Sequence, residues 1–203
     1  MMALEEDIMT RTTLALATAI LITSGAALAQ QPQTQPNQPA PSIAQRKDNQ
    51  QDRIANGIDS GQLTAGETRN LESREANLNR EIRDDRAGDD GHLTAQERAR
   101  INAQQNRISK SIYNDKHNAN VAHYGNNEVG QRRENQQDRI ANGLRSGKMN
   151  AGQAARDENR EQGINQQIRA DRAGNGGRLN NQERAQINHE QNNMSRRIYR
   201  QKH

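Results

Sequence analysis

"GQLTAGE" at residues 61 to 67 and "GHLTAQE" at 91 to 97 decide the fold, because each packs a helix stop and a helix start into one short stretch. The leading glycine suits the left-handed conformation that ends a helix. Leu63 and Leu93 follow as apolar anchors. Thr64 with Glu67, and Thr94 with Glu97, match the capping box, in which a hydroxyl and a carboxylate satisfy otherwise orphaned backbone N–H groups. The two stretches lie 30 residues apart, and Leu71, Leu78 and Ile82 return at that offset as Ile101, Ile108 and Ile112. Each set marks one face of a 3.6-residue period. The segment reads as helix, loop, helix, loop, helix.

Sliding the chain against itself by 86 residues aligns Gln45 to His117 with Gln131 to His203 without a gap, and 40 of the 73 positions are identical. The clearest matches are "NQQDRIANG" at 49 and 135, "DRAG" at 85 and 171, and "IY..KH" at 112 and 198. In the second copy Asn150 with Gln153 and Asn180 with Glu183 occupy the cap positions. The expectation is an all-α chain built by tandem duplication of a three-helix unit. Its predicted organisation is a signal peptide at 1–29, a disordered Pro/Gln-rich tether at 30–42, a first helical repeat at 43–117, a Gly/Asn-rich linker at 118–130 and a second repeat at 131–203.

Residues 12 to 29 hold the only sustained apolar run, preceded by Arg11 and closed by Ala27-Leu28-Ala29. This is the pattern of an export signal cleaved after Ala29, and the run is too short for a membrane span. The acidic "MMALEED" ahead of it suits such a signal poorly, which points to Met9 as an alternative start. The expected location is periplasmic or secreted. Removing residues 1 to 29, with Glu5, Glu6, Asp7 and Arg11, raises the formal charge from +4 to +6. The chain has no cysteine, so neither a disulfide framework nor a thiolate site is open to it. Residues 30 to 42 hold all four prolines and no large apolar side chain, the composition of a solvated tether.

The apolar stripe is thin: Ile, Leu, Met and Tyr number 11 in the first copy and 10 in the second, and there is no Phe or Trp. Glu75 and Gln105 sit on turns that a well-buried helix would fill with apolar side chains, Asp157 replaces Leu71, and Gly163 falls inside an expected helix. The expectation is a pair of marginal bundles that gain stability from each other or from a partner.

The loop "GDDGHLTAQE", 88 to 97, resembles the later half of an EF-hand calcium site, and Asp85, Asp89, Asp90 and Glu97 are its candidate oxygen ligands. With Gly91 at the sixth position of such a loop, Asp90 and Glu97 fall on the fifth and twelfth, but Arg86 and Gly88 occupy the first and third, where oxygens are needed. A glycine turn leading into a capped helix explains all four loops, whereas the calcium reading explains at most one. No metal or cofactor is therefore expected.

"LTAGE" at 63 and "LTAQERARI" at 93 resemble the LTxxQ motif of small periplasmic stress proteins, with Glu67 and Glu97 in place of the final Gln. That resemblance implies an all-helical, exported, basic protein of a kind that includes dimeric chaperones shielding unfolded clients. The chain as a whole is similar to exported bacterial helical repeat proteins that carry no assigned activity.

Catalysis leaves no motif: the histidines are scattered, "HEQNN" at 189 lacks the second histidine of a zinc-protease helix, and the serines have no neighbouring base. His117 and His203 recur at the ends of the copies, where helix C-termini favour cationic groups. The first copy balances 13 basic against 13 acidic residues, while the second carries 15 against 8. Its last helix ends "SRRIYRQKH", so Arg196, Arg197, Arg200 and Lys202 form a candidate anion-binding patch. Nucleic acid is disfavoured, because the chain is expected to be exported and Tyr199 is the one aromatic residue interleaved with these arginines for base stacking. The expected function is that of an exported, non-catalytic binding protein, chaperone-like or related to envelope stress. Its partner would be a protein or an anionic envelope component, and self-association is open to it. The alternatives are a weak calcium-binding module and a purely structural envelope protein.

Overall fold

The computed structural model describes residues 40 to 203; the expected signal peptide and residues 30 to 39 of the expected tether lie outside them. The described residues contain six helices and no strands: α1 Ile43–Asp59, α2 Ala65–Gly88, α3 Ala95–Lys116, α4 Glu128–Arg145, α5 Ala151–Gly174 and α6 Asn181–Lys202. None is long and apolar enough to cross a membrane.

Local chemistry sets the helix starts. Ser42 and Gln45 form a capping box at α1, with Gln45 N–H donating to Ser42 Oγ at 3.2 Å and Ser42 N–H donating to Gln45 Oε1 at 2.9 Å. The stops of α1 and α4 share a second device. Gly61 and Gly147 take left-handed φ values of 68° and 67°, open to glycine without steric cost. The chain then folds back so tightly that a Cβ on Gly57 would lie 2.6 Å from Leu63 Cδ1, and one on Gly143 2.9 Å from Met149 Cβ. Leu63 and Met149 are thereby buried against the helices that they follow.

Four helices, α1, α2, α4 and α5, make the centre, with α2 packed on α5 and α1 on α4; α3 lies against α1 and α2, and α6 against α4 and α5. Helices α2 and α5 run antiparallel, since Gly66 and Arg69 near the start of α2 meet Gln162 while Gly152 near the start of α5 meets Ala76. Residues Pro41–His203 are one compact unit, and a single apolar cluster runs through both halves, from Ile54, Leu71 and Ile101 to Ile140, Met149 and Ile198. A smaller cluster of Val129, Ile164, Ile168 and Ile187 closes the far end of the second half.

Two expectations need correction. The turns held by Glu75 and Gln105 are buried, at 1% and 2% exposure, so the buried face is wider than the apolar stripe. Gln105 tolerates burial because its Nε2 donates to the Ile43 carbonyl at 2.9 Å, and Gln50 in turn donates to the Gln105 carbonyl at 2.7 Å and to Ser109 Oγ at 2.9 Å. The same bonds recur 86 residues on: Gln191 to the Val129 carbonyl, and Gln136 to the Gln191 carbonyl and Ser195. Buried polar side chains, as well as apolar ones, thus dock α3 and α6. The second correction concerns the span 118–130, whose last three residues are helical. Asn127 caps α4 by accepting from Gly130 N–H at 3.0 Å, and Gly130 lies so close to the Tyr124 carbonyl that a Cβ there would be 2.1 Å from its oxygen.

Candidate functional site

The four predicted cap pairs sit where their chemistry requires. Glu67 N–H donates to Thr64 Oγ1 at 3.3 Å and Glu97 N–H to Thr94 Oγ1 at 3.2 Å. Gln153 N–H donates to Asn150 Oδ1 at 3.0 Å and Glu183 N–H to Asn180 Oδ1 at 2.9 Å, and in all four the acidic or amide side chain returns a bond to the cap N–H. The Thr94 backbone N–H holds the Glu97 carboxyl below its usual range. Of the candidate calcium ligands, Asp85 is committed to Arg100 at 2.8 Å, and Asp90 is exposed with a left-handed φ of 49°. Asp89 titrates above its usual range because the Glu97 charge lies beside it. Among the described residues, no group of three or more His, Cys, Asp or Glu is placed to hold a metal ion. His117 and His203 each stack on the tyrosine one turn earlier, with ring centroids 4.2 Å apart, and set Nδ1 against that tyrosine's carbonyl.

The basic patch resolves differently from the sequence expectation. Arg196, Arg197 and Arg200 line a groove of about 560 Å³ between α5 and α6, and Arg160 of α5 completes the rim. Lys202 is not part of it. Its Nζ donates to the Arg139 carbonyl at 3.3 Å and its stem packs over Gly143, which draws it onto α4. Ile164 and Met194 floor the groove, Gly163 leaves its α5 wall low, and Glu190 is the one carboxylate among the lining residues. Four guanidinium groups over an apolar floor form a surface for an anion that carries an apolar body.

The corresponding groove of the first half, between α2 and α3, is smaller at about 410 Å³ and is lined by Arg74, Asn77, Gln104, Arg107 and Ile108. Eight of the nine residues lining the α5–α6 groove differ from their counterparts 86 residues earlier, and only Arg160 matches, at Arg74. Asn77, Lys110, Ser111 and Asn114 become Gly163, Arg196, Arg197 and Arg200 in the second half. Sequence reading missed Arg160 because it lies 36 residues before Arg196 and meets it only through the α5–α6 pairing. Comparing the two halves does not single it out either, since Arg160 matches Arg74 at the same offset of 86 residues.

Beneath the groove lies Asp157, fully buried. Arg197 Nε donates to Asp157 Oδ1 at 2.7 Å, and Gln201, with its amide nitrogen turned toward the carboxylate, donates to Oδ2 at 2.6 Å. Burial nevertheless holds this carboxyl above its usual range, with the Arg197 bond working in the opposite direction. Asp157 belongs to a seam of carboxylates along the α2–α5 contact, with Glu72, Glu75, Glu158 and Glu161, none more than 1% exposed. Gln51 donates to Glu72 at 3.3 Å, Gln137 to Glu158 at 3.0 Å, and Arg133 pairs with Glu161 at 2.9 Å. Burial raises Glu72 and Glu158 well above the carboxylate range and Glu75 to about 7, so a charged carboxylate is disfavoured along this seam.

Comparison with models of protein families, with curated proteins and with solved structures finds no match to this chain.

Proposed function

We propose that the protein is an exported, non-catalytic helical binding protein of the bacterial envelope, chaperone-like in kind, whose second half holds an amphipathic anion. The observation that carries this reading is the α5–α6 groove, where four arginines surround an Ile164 and Met194 floor with a single facing carboxylate. A lipid head group with its first chain carbons, or an acidic and apolar stretch of an unfolded client, has the matching chemistry. The volume lies within the range of ordinary ligand pockets. Export rests on the signal-like segment ending at Ala29. We also read the chain as a tandem duplication whose second half has the larger of two corresponding grooves, with four arginines where the first has two. The matched Gln50 and Gln136 networks and the Asn77 to Gly163 difference support that reading.

The test is cosedimentation with vesicles of phosphatidylglycerol and of phosphatidylcholine. The protein is expected on the anionic vesicles only, with release by salt, since exposed charge pairing is screened over about 10 Å at 0.1 M ionic strength. Arg160→Gln with Arg200→Gln should abolish retention, while Arg74→Gln with Arg107→Gln should not. Equal retention of the two double variants would refute the assignment of the groove.

A further inference from the structure

Arg197 stands in two places at once. It lines the groove, and its Nε is committed to the buried carboxylate of Asp157 at 2.7 Å. An anion that enters the groove and takes Arg197 leaves Asp157 at 0% exposure without its cation, and an unpaired charge in that position is strongly unfavourable. A proton is the available substitute. We propose that Asp157 and Arg197 form a proton-sensitive latch on the groove: the anion draws Arg197 off Asp157, and a proton from solvent takes its place on the carboxyl oxygen. Each anion captured brings in up to one proton, so binding tightens as pH falls. This inference rests on the groove reading above and adds its regulation.

The surroundings of Asp157 favour the exchange. From α6 it faces Arg197 and the neutral Gln201; from α5 it faces Arg160, one turn on, and the buried carboxyl of Glu158. Glu158 in turn is held by Gln137 of α4 and opposed by Glu72 of α2, so the elements packed behind Asp157 bring acidic and neutral groups to its side of the seam. Once Arg197 turns outward, Arg160 is the remaining nearby cation, and it lines the same groove and is drawn to the same ligand. Gln201 remains beside the carboxyl, and with its amide turned over its oxygen accepts the hydrogen bond from the protonated group. The first half has no latch, because Leu71 and Ser111 stand where Asp157 and Arg197 stand.

The probe is 8-anilinonaphthalene-1-sulfonate, an amphipathic anion whose charge does not change across the range used. Its Kd is measured by fluorescence on the full chain between about pH 8 and about pH 5, where one linked proton allows at most a tenfold change per pH unit. Proton uptake is read independently by calorimetry in two buffers of different ionisation enthalpy. The wild type is expected to tighten at least about threefold as pH falls and to take up a fraction of a proton on binding. Asp157→Asn, which keeps the shape and frees Arg197, should bind at pH 8 as tightly as the wild type binds at pH 5 and take up no proton; Asp157→Leu, the side chain that the first half uses, should do the same. Binding that needs Arg160 and Arg200 but keeps its full pH dependence in both Asp157 variants would overturn the latch alone. Binding unaffected by Arg160→Gln with Arg200→Gln would overturn the groove reading and the latch with it.

Discussion

Glu75→Gln should stabilise the protein at alkaline pH and do little at mildly acidic pH. Glu75 is 1% exposed, and neither carboxyl oxygen has a hydrogen-bond partner. Burial raises it from 4.5 to about 7, with the Lys47 charge acting in the opposite direction. A carboxyl raised in the folded state binds its proton more tightly there than in the unfolded chain, so stability is full below 4.5 and is lost as pH climbs through 7. At about 1.4 kcal/mol per unit of pKa difference, the full loss is about 3.5 kcal/mol, of which roughly 2.5 falls between about pH 5 and pH 8. Glu72 and Glu158 shift in the same direction, so the wild-type slope is steeper than Glu75 alone provides. The assay is urea unfolding followed by far-UV circular dichroism at the two pH values. The variant should lose roughly 2 to 3 kcal/mol less than the wild type on going to the higher pH. Equal losses would show that Glu75 is hydrated or paired in the folded protein, and the account of the seam would fail.

Thr94→Ala should destabilise the first half by about 0.5 to 2 kcal/mol through loss of the α3 cap, while Asp90→Asn changes little; chemical unfolding of the two variants checks both. Millimolar calcium, the range to which weak extracellular sites respond, should leave the melting temperature unchanged. Gly163→Ala should raise stability by about 0.5 to 1 kcal/mol, because a Cβ there meets nothing within 4 Å and a glycine interior to a helix is costly. Gly130→Ala should lower the melting temperature, because its Cβ would lie 2.1 Å from the Tyr124 carbonyl oxygen.

The helices and their starts were legible because caps are local: Thr64 speaks to Glu67 across three residues, and no tertiary partner is needed. Ser42 with Gln45 is the same signal, hidden at the end of a proline-rich run. The width of the buried face was not legible. Gln50, Gln105 and Glu72 look like surface residues until their partners on other helices are known, the nearest 21 residues away, and Glu75 is buried with no hydrogen-bond partner at all. Asp157 read as damage to the apolar stripe, whereas the structure gives it Arg197, 40 residues on. The basic tip was visible as a charge run in α6, but its division was not: Lys202 turns to α4 while Arg160 joins from α5, and both outcomes depend on how the helices pair. Such placement is a property of packing, which periodicity does not carry.

The most direct test of the groove is a titration of isotope-labelled protein with decyl sulfate, below its micelle concentration, followed through the arginine Nε–H resonances by NMR. Those of Arg160, Arg197 and Arg200 should shift together and saturate at one ligand per chain, while Arg74 and Arg107 in the first-half groove stay in place. Shifts spread evenly over the arginines of both halves, or a response that never saturates, would contradict the account.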